Sequence, residues 1–298
     1  MNVSCIILNY NDADTTIRLV QSIKEYSSLD SIVIVDNHST DDSAARLKEL
    51  SGGRIHVVSS LKNGGYGYGN NLGIRYAYSE LGATHVLIAN PDVLFSQETL
   101  LAMKALFAAD KSVAVTAAVP VDQSGKAGLP GWKLTGLFAD LLDTGLVTRR
   151  LLKRWLTYDP DKRAFWAAVP GGAKRCALAD AVPGSLLLAD ADALTACGLY
   201  DEEVFLYYEE KILGHKLKEK GYKTLLLLDR TYVHLHSVSI NKSVSSILKK
   251  QALLHRSKLH YYRKYLKINR FQELAAKGFL NFLMFEIWFL TKILGMSW

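Results

Sequence analysis

The first 120 residues alternate short apolar runs with longer amphipathic stretches, and this alternation constrains the fold more than any other feature. Short runs rich in β-branched residues predict buried strands, and apolar residues three or four apart predict helices. Strands are predicted at residues 3–8, 31–35, 55–59, 86–89 and 113–118, and helices at 15–26, 41–50, 69–81 and 98–109. Strands that alternate with helices form parallel βαβ units. The sequence therefore predicts an α/β fold with a doubly wound, mostly parallel central sheet and helices on both faces.

The second half of the chain continues this pattern less regularly. Strands are predicted at 182–188 and 224–228, and helices at 191–197 and 210–220. Residues 125–181 have no clean period, which favours an insertion or a loop region over a cleft. From residue 245 onwards the spacing is helical, so we expect a helical extension at the C-terminal end.

Polar residues follow the predicted strands of the first half at the point where each strand ends. In parallel sheets ligands bind beyond the carboxyl ends of the strands, so these side chains should line one cleft. They are Asn9, Tyr10 and Asn11 after the first strand, Asp36 and Asn37 after the second, Asn63 and Gly65 after the third, and Asn90 and Asp92 after the fourth.

The glycine-rich stretch from residue 63 to residue 73 excludes two common nucleotide-binding motifs. It lacks the GxxxxGK[ST] pattern of a P-loop, and Asn70 stands where a GxGxxG fingerprint needs its last glycine. Glycines before a helix still allow a close approach of the backbone to a diphosphate. From these residues alone, a diphosphate-binding loop and a tight strand-to-helix turn are both open.

Taken together, these motifs resemble the family 2 glycosyltransferases with the GT-A fold. The order is Asn-Tyr-Asn at 9–11, Val-Asp-Asn-x-Ser-x-Asp at 35–41, Asn-x-Gly-x-Gly-x-Gly-Asn-Asn-x-Gly at 63–73 and Asn-Pro-Asp at 90–92. The resemblance continues at 182–188 and 198–210 and covers about residues 1–239. It is to the bacterial polysaccharide branch that includes rhamnosyltransferases.

The resemblance implies a divalent metal at the Asn-Pro-Asp motif. Alone, Asn90-Pro91-Asp92 would also suit a turn in which Asp92 caps the next helix. As the counterpart of the family's Asp-x-Asp signature, Asp92 would hold Mg²⁺ or Mn²⁺, which offsets the charge of a leaving diphosphate. His234 or His236 would lie near the same metal.

The resemblance also implies a donor site and a catalytic base. Asp36 would contact the nucleoside, Tyr10 would stack near the base, and Asn63 and Asn71 would hold the sugar nucleotide, beside Asn9, Asn11, Asn37, Gly65 and Asn90. Relatives carry a Glu-Asp-x-Asp motif whose second acid falls on Glu210 here, with Glu209 before it and Ile212 in place of the third acid. An inverting transfer needs such a base to take the proton from the acceptor hydroxyl.

The last 58 residues carry the basic charge of the chain. Residues 241–298 contain eleven Lys or Arg and two Glu, an excess of +9, so the first 240 residues sum to −2 of the net +7. The twelve mostly apolar residues 279–290, interrupted by Asn281 and Glu286, are too few to span a bilayer comfortably and predict a helix lying in a membrane surface. A helix packed on the catalytic domain and a homodimer interface remain open. No RNA-binding motif accompanies the basic residues, so nucleic acid is not expected.

The resemblance implies an inverting glycosyltransferase that uses dTDP-rhamnose or a UDP-hexose and a lipid-linked or polysaccharide acceptor. Residues 1–240 would form the catalytic domain, with the nucleotide half at about 1–120 and the acceptor half at about 180–240, and 241–298 a membrane-associating tail. Three scattered cysteines and a start unlike a signal peptide favour a cytoplasmic protein, peripheral on the inner face of the membrane. The alternatives are a nucleotidyltransferase, whose basic glycine-rich signature is missing near the first strand, and a non-catalytic, membrane-docked binding protein.

Overall fold

A computed structural model describes residues 1–235 and 246–293, so the predicted metal ligand His236 lies outside the described residues. The chain forms one ten-stranded sheet in the order β3-β2-β1-β4-β9-β6-β10-β8-β7, with the short β5 paired to β10. The strands are β1 Val3–Asn9, β2 Ser31–Asp36, β3 Ile55–Ser59, β4 His85–Ala89, β5 Val93–Leu94, β6 Val113–Val121, β7 Ala164–Ala167, β8 Lys174–Ala179, β9 Leu186–Asp190 and β10 Lys223–His234.

Helices cover both faces of the sheet, as the alternating sequence pattern predicts. They are α1 Ala13–Ile23, α2 Ser43–Lys48, α3 Tyr66–Leu81, α4 Gln97–Leu106, α5 Leu137–Thr144, α6 Leu146–Leu156, α7 Ala191–Ala196, α8 Glu209–Glu219, α9 Ile247–Lys264 and α10 Arg270–Trp288. A short π-helical turn, Phe289–Ile293, follows α10. The predicted α/β fold with a C-terminal helical extension is confirmed.

The core has one layer on each face of the sheet. Ile6 and Ile7 are both fully buried, and they belong to different apolar clusters because successive strand residues point to opposite faces. All six residues of β2 are buried, which explains why that strand appears as a continuous apolar run instead of an alternating one. Each fully buried Val or Ile side chain in this strand contributes about 1.5–3 kcal/mol of transfer free energy to folding.

Strand direction divides the sheet into two parts. The neighbours β3, β2, β1 and β4 are parallel, so their carboxyl ends meet at one edge, where Asn9 lies opposite Asp36 in the strand register. Strand β9 runs antiparallel between β4 and β6, and β10 returns parallel to β6. The sheet is therefore mixed, and the parallel part brings together the polar strand ends predicted from the sequence.

Residues 125–181 are more regular than the sequence suggests. They form α5, α6 and a β7–β8 hairpin that extends the sheet beyond β10. The sequence does not predict α6 as a helix with a buried apolar face, because its apolar residues Leu151 and Trp155 are exposed.

The C-terminal helices share a third apolar cluster with α5 and α8. Tyr261 and Tyr262 of α9 and Leu280 of α10 are buried against Leu137 and Ile212. One side of these helices is therefore packed on the rest of the chain, which is one of the alternatives that the sequence left open. Among the described residues, only the helical segment Arg270–Ile293 is long and apolar enough, by length and composition, to cross a membrane. Its most apolar window has a mean hydropathy of 1.3, and 22% of that window is buried.

Candidate active site

The ends of β1 and β2 form a closed hydrogen-bond network. Asn9 Nδ2 donates to Asp36 Oδ1 at 3.1 Å, and the hydroxyl of Ser39 donates to the same oxygen at 2.5 Å. The backbone N–H of Ser39 donates to Asp36 Oδ2 at 3.2 Å, and Thr16 donates to Asn9 Oδ1 at 2.9 Å. Because Asn9 and Asp36 are both buried, these bonds fix the orientation of the Asp36 carboxylate at the edge of the sheet.

Asn11 holds the loop after β2. Its backbone lies in the left-handed region, with φ 52°, and its side chain exchanges hydrogen bonds with Thr40. Tyr10 between them is half-buried. The structure therefore brings Asn9, Tyr10, Asn11 and Asp36 together at one edge of the sheet, as the sequence predicts. Their contacts with a nucleotide stay predictions.

The glycine-rich loop lies between the β2 end and the segment before α8. Asn37 Nδ2 donates to Asn63 Oδ1 at 3.1 Å and to the Gly65 carbonyl at 3.2 Å. Gly65 has φ 92°, and a Cβ there would lie 2.1 Å from the Phe205 carbonyl oxygen. Only glycine fits this position, since any other residue would both strain the backbone and displace the segment that leads to Glu209 and Glu210.

Asn71 has a different set of contacts from the one that the resemblance implies. Its Nδ2 donates to the Tyr200 carbonyl at 3.0 Å and to Glu202 Oε1 at 2.9 Å, and its Oδ1 accepts from the Tyr200 N–H at 2.9 Å. The side chain is 1% exposed. Asn71 therefore ties α3 to the loop after α7, and its predicted contact with the donor stays a prediction.

Asp92 and His234 form a buried acid–imidazole pair. Strand β5 pairs with the end of β10, and the Leu235 N–H donates to the Asp92 carbonyl at 2.9 Å. This pairing brings His234 Nε2 to 3.4 Å from Asp92 Oδ1, with side-chain exposures of 17% and 6%. Asn90 is anchored nearby by its N–H, which donates to the Ser185 carbonyl at 2.9 Å. Two residues 142 positions apart, both predicted as metal ligands, thus lie in contact.

A second acidic group lies elsewhere and already contains a cation. Asp201, Glu203 and His260 are the one group of three potential ligands found within 4.8 Å of one another in the described part of the chain. Lys264 Nζ lies 3.1 Å from Asp201 and 2.5 Å from Glu203, and Tyr265 donates to Asp201 at 2.7 Å. This group holds α9 against the loop after α7 and is separate from Asn90–Asp92.

Glu209 and Glu210 begin α8 after an unusual backbone turn. Tyr207 and Tyr208 have φ 71° and 73°, two consecutive non-glycine residues in the left-handed region. Such a conformation is costly and persists only where surrounding contacts impose it, as at many functional sites. Glu210 Oε1 accepts from the Gly184 N–H at 3.3 Å, and Tyr66 donates to the Gly184 carbonyl at 2.7 Å.

Burial raises the pKa values of both carboxyl groups. For Glu209, burial and then the charge of Glu210 raise the pKa well above its usual value. For Glu210, burial raises the pKa, while backbone N–H groups and Lys211 oppose the rise. Two neighbouring carboxyls in such a site do not ionise equally easily, and the raised proton affinity of Glu210 suits a group that must accept a proton.

Replacing Glu209 with Gln is expected to stabilise the fold increasingly as the pH rises. Glu209 Oε1 is buried without a hydrogen-bond partner among residues 1–235 and 246–293. Its folded pKa is raised, so the stability that it contributes is present below the unfolded pKa and is lost as pH rises through the folded pKa. The melting temperature of Glu209→Gln should exceed that of the wild type by about 3 °C or more at pH 8 and by little at pH 5. An equal difference at both pH values would contradict this account.

Four of the predicted site residues line one cleft of about 730 Å³. They are Asn90, His234, Glu209 and Glu210, together with Tyr66 of the glycine-rich stretch. Asp92 is 4% exposed and adjoins this cleft through its contact with His234. The cavity has room for a sugar ring and part of a diphosphate.

Asp140 forms a buried charge cluster beside this cleft that the sequence prediction missed. Asp140 Oδ1 accepts from Lys211 Nζ at 2.5 Å, and Oδ2 accepts from Lys258 Nζ at 3.0 Å. Tyr208 and Tyr262 also donate to this carboxylate. Burial opposes its ionisation, but the charges of Lys258 and Lys211 outweigh burial and hold the pKa of Asp140 well below its usual range. The cluster joins α5, α8 and α9 next to the glutamates.

Three solved structures similar to this chain share its fold. A mannosyltransferase, PcManGT from Pyrobaculum calidifontis with GDP-Man and Mn²⁺, has a TM-score of 0.58 and 16% identity, over 95% of this chain and 70% of that one. GalNAc-T7 with UDP, GalNAc and Mn²⁺ has a TM-score of 0.54 and 15% identity, over 78% and 44%. TarS of S. aureus has a TM-score of 0.53 and 16% identity, over 94% and 43%. At these identities the likeness shows the fold, which is the GT-A α/β fold.

The family follows from the sequence itself. Residues 4–155 match the family described as Glycosyl transferase family 2, and the chain belongs to that family. It is 27% identical over 210 residues to the low-salt glycan biosynthesis hexosyltransferase Agl10 of Haloferax volcanii. The alignment covers 70% of this chain and 59% of that relative, so the chain spans about three fifths of the relative's length.

Proposed function

We propose that this chain is an inverting glycosyltransferase that moves a sugar from a nucleoside-diphosphate sugar to a glycan acceptor of the cell surface. The observation that carries the proposal is that Glu210 and His234, which contacts Asp92, line one cleft with Tyr66 of the glycine-rich stretch in a family 2 chain. A base and a diphosphate-binding group on the same cavity are what a displacement at an anomeric carbon requires.

In the proposed reaction, Glu210 accepts the proton of the acceptor hydroxyl. The oxygen of that hydroxyl forms a bond to the anomeric carbon, and the bond from that carbon to the diphosphate oxygen breaks with its electron pair leaving on the diphosphate. The Gly184 N–H that donates to Glu210 at 3.3 Å fixes the direction of the carboxylate. Glu209, which is more deeply buried, holds its own proton more tightly, because burial and then the charge of Glu210 raise its pKa well above its usual value.

The Asp92–His234 pair fits a divalent metal. A carboxylate oxygen and an imidazole nitrogen 3.4 Å apart form a mixed O/N donor set, which suits Mn²⁺ better than Mg²⁺. Bound there, the metal would neutralise the charge that develops on the leaving diphosphate. Two of the similar solved structures contain Mn²⁺, which supports this choice.

The strand ends would hold the nucleotide. The Asp36 carboxylate, with its orientation fixed by Asn9 and Ser39, suits a hydrogen bond from the nucleoside, and the half-buried ring of Tyr10 suits stacking. The donor would be dTDP-rhamnose or a UDP-hexose. GDP-sugars also belong in the test, because one similar structure holds GDP-Man.

The acceptor would be a lipid-linked or polysaccharide glycan, used by a chain associated with the membrane surface through its C-terminal helices. The exposed apolar residues of α10 and the surplus of cations in the tail support membrane association. A cytoplasmic location on the inner face of the membrane would place the donor and such an acceptor together.

A non-catalytic sugar-binding protein is the second candidate. Asn90 and Ile212 stand where relatives have acids, and Ile212 is fully buried in the apolar cluster with α9 and α10. A carboxylate at position 212 would be buried among apolar side chains, so its loss has a packing reason. The missing third acid therefore does not by itself favour a degenerate site.

Replacing either member of the acid–imidazole pair is expected to weaken Mn²⁺ binding at least about tenfold, because each removes a ligand atom. The variants are Asp92→Asn and His234→Ala, and free Mn²⁺ is measured by electron paramagnetic resonance during titration with UDP, dTDP or GDP present. Glu203→Gln is the matched control, since it removes an acid from the group that Lys264 already neutralises. Wild-type affinity in Asp92→Asn, or a loss only in Glu203→Gln, would contradict the assignment.

A further inference from the structure

Helix α6 exposes its apolar side chains in a single stripe. Val147, Leu151 and Trp155 are spaced four residues apart, so they lie on one side of the helix, and they are 59%, 78% and 84% exposed. A helix of a globular protein normally turns such a stripe towards the core. Three adjacent exposed apolar side chains, one of them Trp, indicate a surface that binds a protein or a membrane.

Helix α10 is apolar on two sides. Ala276, Leu280, Leu283 and Ile287 are buried against the rest of the chain. The other side exposes five large apolar residues, namely Phe271, Leu274, Phe282, Phe285 and Trp288. Phe285 contacts the rings of Trp288 and Phe289 at centroid distances of 5.8 and 6.3 Å, so the exposed aromatics form one group.

The two helices adjoin each other at the catalytic cleft. The Cβ position of Gly145, directly before α6, lies 3.3 Å from the ring of Phe279 in α10, so the start of α6 lies against α10. The cleft that contains Glu210 is lined by Arg149 and Arg150 of α6 and by Leu283 and Ile287 of α10. Because the two arginines are also exposed, the cleft reaches solvent at the junction of these helices.

The positive charge of α6 favours an anionic membrane as the binding partner of this surface. The helix contains Arg149, Arg150, Lys153 and Arg154 and no acid, and all four cations are exposed. Each cation near an anionic membrane surface contributes about 1 kcal/mol, and tryptophan is enriched at the boundary between headgroups and acyl chains. A second copy of the chain fits less well, because a symmetric interface centred on α6 would bring like charges together.

We propose that the exposed sides of α6 and α10 form one docking face for an anionic lipid bilayer, and that the catalytic cleft opens next to this face, where the exposed Arg149 and Arg150 of α6 line it. The inference rests on the proposed function and extends it from the C-terminal tail to the inserted residues 125–181. An acceptor anchored in the same bilayer would reach Glu210 along the cleft without leaving the membrane surface.

The test is flotation of the full chain with two kinds of vesicle. One consists of phosphatidylcholine alone, and the other also contains about 30% phosphatidylglycerol as the anionic lipid. The wild type should float with the anionic vesicles, and added salt should weaken the binding. The double substitution Leu151→Glu with Trp155→Glu should weaken it at least about tenfold, since it places two charges where apolar groups would enter the bilayer. Leu101→Glu on α4 is the matched control, because Leu101 is an exposed apolar residue (48%) on a helix that packs in a different apolar cluster from α10.

Three results would overturn the docking face. These are no binding of the wild type, equal binding of the α6 variant, or a dimer in sedimentation equilibrium that the α6 variant dissociates. Binding of Mn²⁺ and nucleotide is measured on the same variants, which separates the two proposals. Nucleotide binding without vesicle binding would contradict the docking face alone, whereas vesicle binding without any nucleotide binding would contradict the proposed function alone.

Discussion

Replacing Glu210 with Gln is expected to lower the rate of sugar transfer about 10²–10⁴-fold and to leave nucleotide binding unchanged. Gln keeps the shape of Glu and can still accept the Gly184 N–H, but its amide cannot take the acceptor proton. Initial rates with radiolabelled donor measure the first effect, and calorimetric titration with the nucleotide measures the second. In the wild type, transfer should also fall as the pH drops through the raised pKa of Glu210, because only the ionised carboxylate is a base.

Glu209→Gln is the matched control for this experiment. It changes the neighbouring carboxyl in the same way, but on our account it removes no proton acceptor from the reaction. A loss in Glu209→Gln that equals the loss in Glu210→Gln would mean that the base assignment is wrong. Unchanged transfer in Glu210→Gln would exclude Glu210 as the base.

Replacing Asp140 with Asn is expected to have the largest effect on stability, about 3–5 kcal/mol, or a fall in melting temperature of roughly 10 °C. The substitution removes the one carboxylate that both Lys211 and Lys258 contact, and the side chains of these lysines are only 12% and 5% exposed. Burial already lowers the pKa of Lys258 to about 8, although Asp140 opposes this effect. Because α5, α8 and α9 meet at this carboxylate, their packing beside the cleft should loosen together.

The pH dependence of this deficit has a definite sign. The folded pKa of Asp140 is depressed, so its contribution is present above the unfolded pKa and is lost as pH falls through the acid range. The difference between wild type and Asp140→Asn should therefore shrink in acid. Asp143→Asn is the control on the same helix, because its pair with Arg149 is long, at 3.5 Å, and partly exposed. Melting temperatures of the two variants within about 2 °C of each other would contradict the central role of the Asp140 cluster.

The sequence predicted the parts of the fold that repeat locally. The β-branched runs of β1, β2 and β3 and the helix after the glycine-rich loop appear within a few residues of their predicted positions. The order of polar strand ends also indicated the family. The predictions of the fold and the family succeeded because each depends on a period or on a strand end, both of which are readable in a linear sequence. The resemblance further implied that His234 or His236 lies near a metal held by Asp92; His234 lies 3.4 Å from Asp92, and the metal stays a prediction.

The remaining features depend on contacts between distant segments. The apolar run before Ala191 predicts a buried strand but not its direction, so antiparallel β9 was not foreseen. Helix α6 escaped recognition because its apolar stripe faces outwards. Asp140 is one of two acids in a largely apolar helix, and its partner Lys258 lies 118 residues away, so only the folded chain shows that they meet.

The most direct test of the account is the melting temperature of the purified chain with UDP-, dTDP- and GDP-sugars, with and without Mn²⁺. A ligand that binds only the folded state stabilises it by RT ln(1 + [L]/Kd), which is about 2.7 kcal/mol at a hundredfold excess over Kd. We expect one nucleotide class to raise the melting temperature by several degrees, only with Mn²⁺ present and not in Asp92→Asn. No shift with any of these nucleotides, in a chain shown to be folded, would contradict the central claim that this cleft binds a sugar nucleotide.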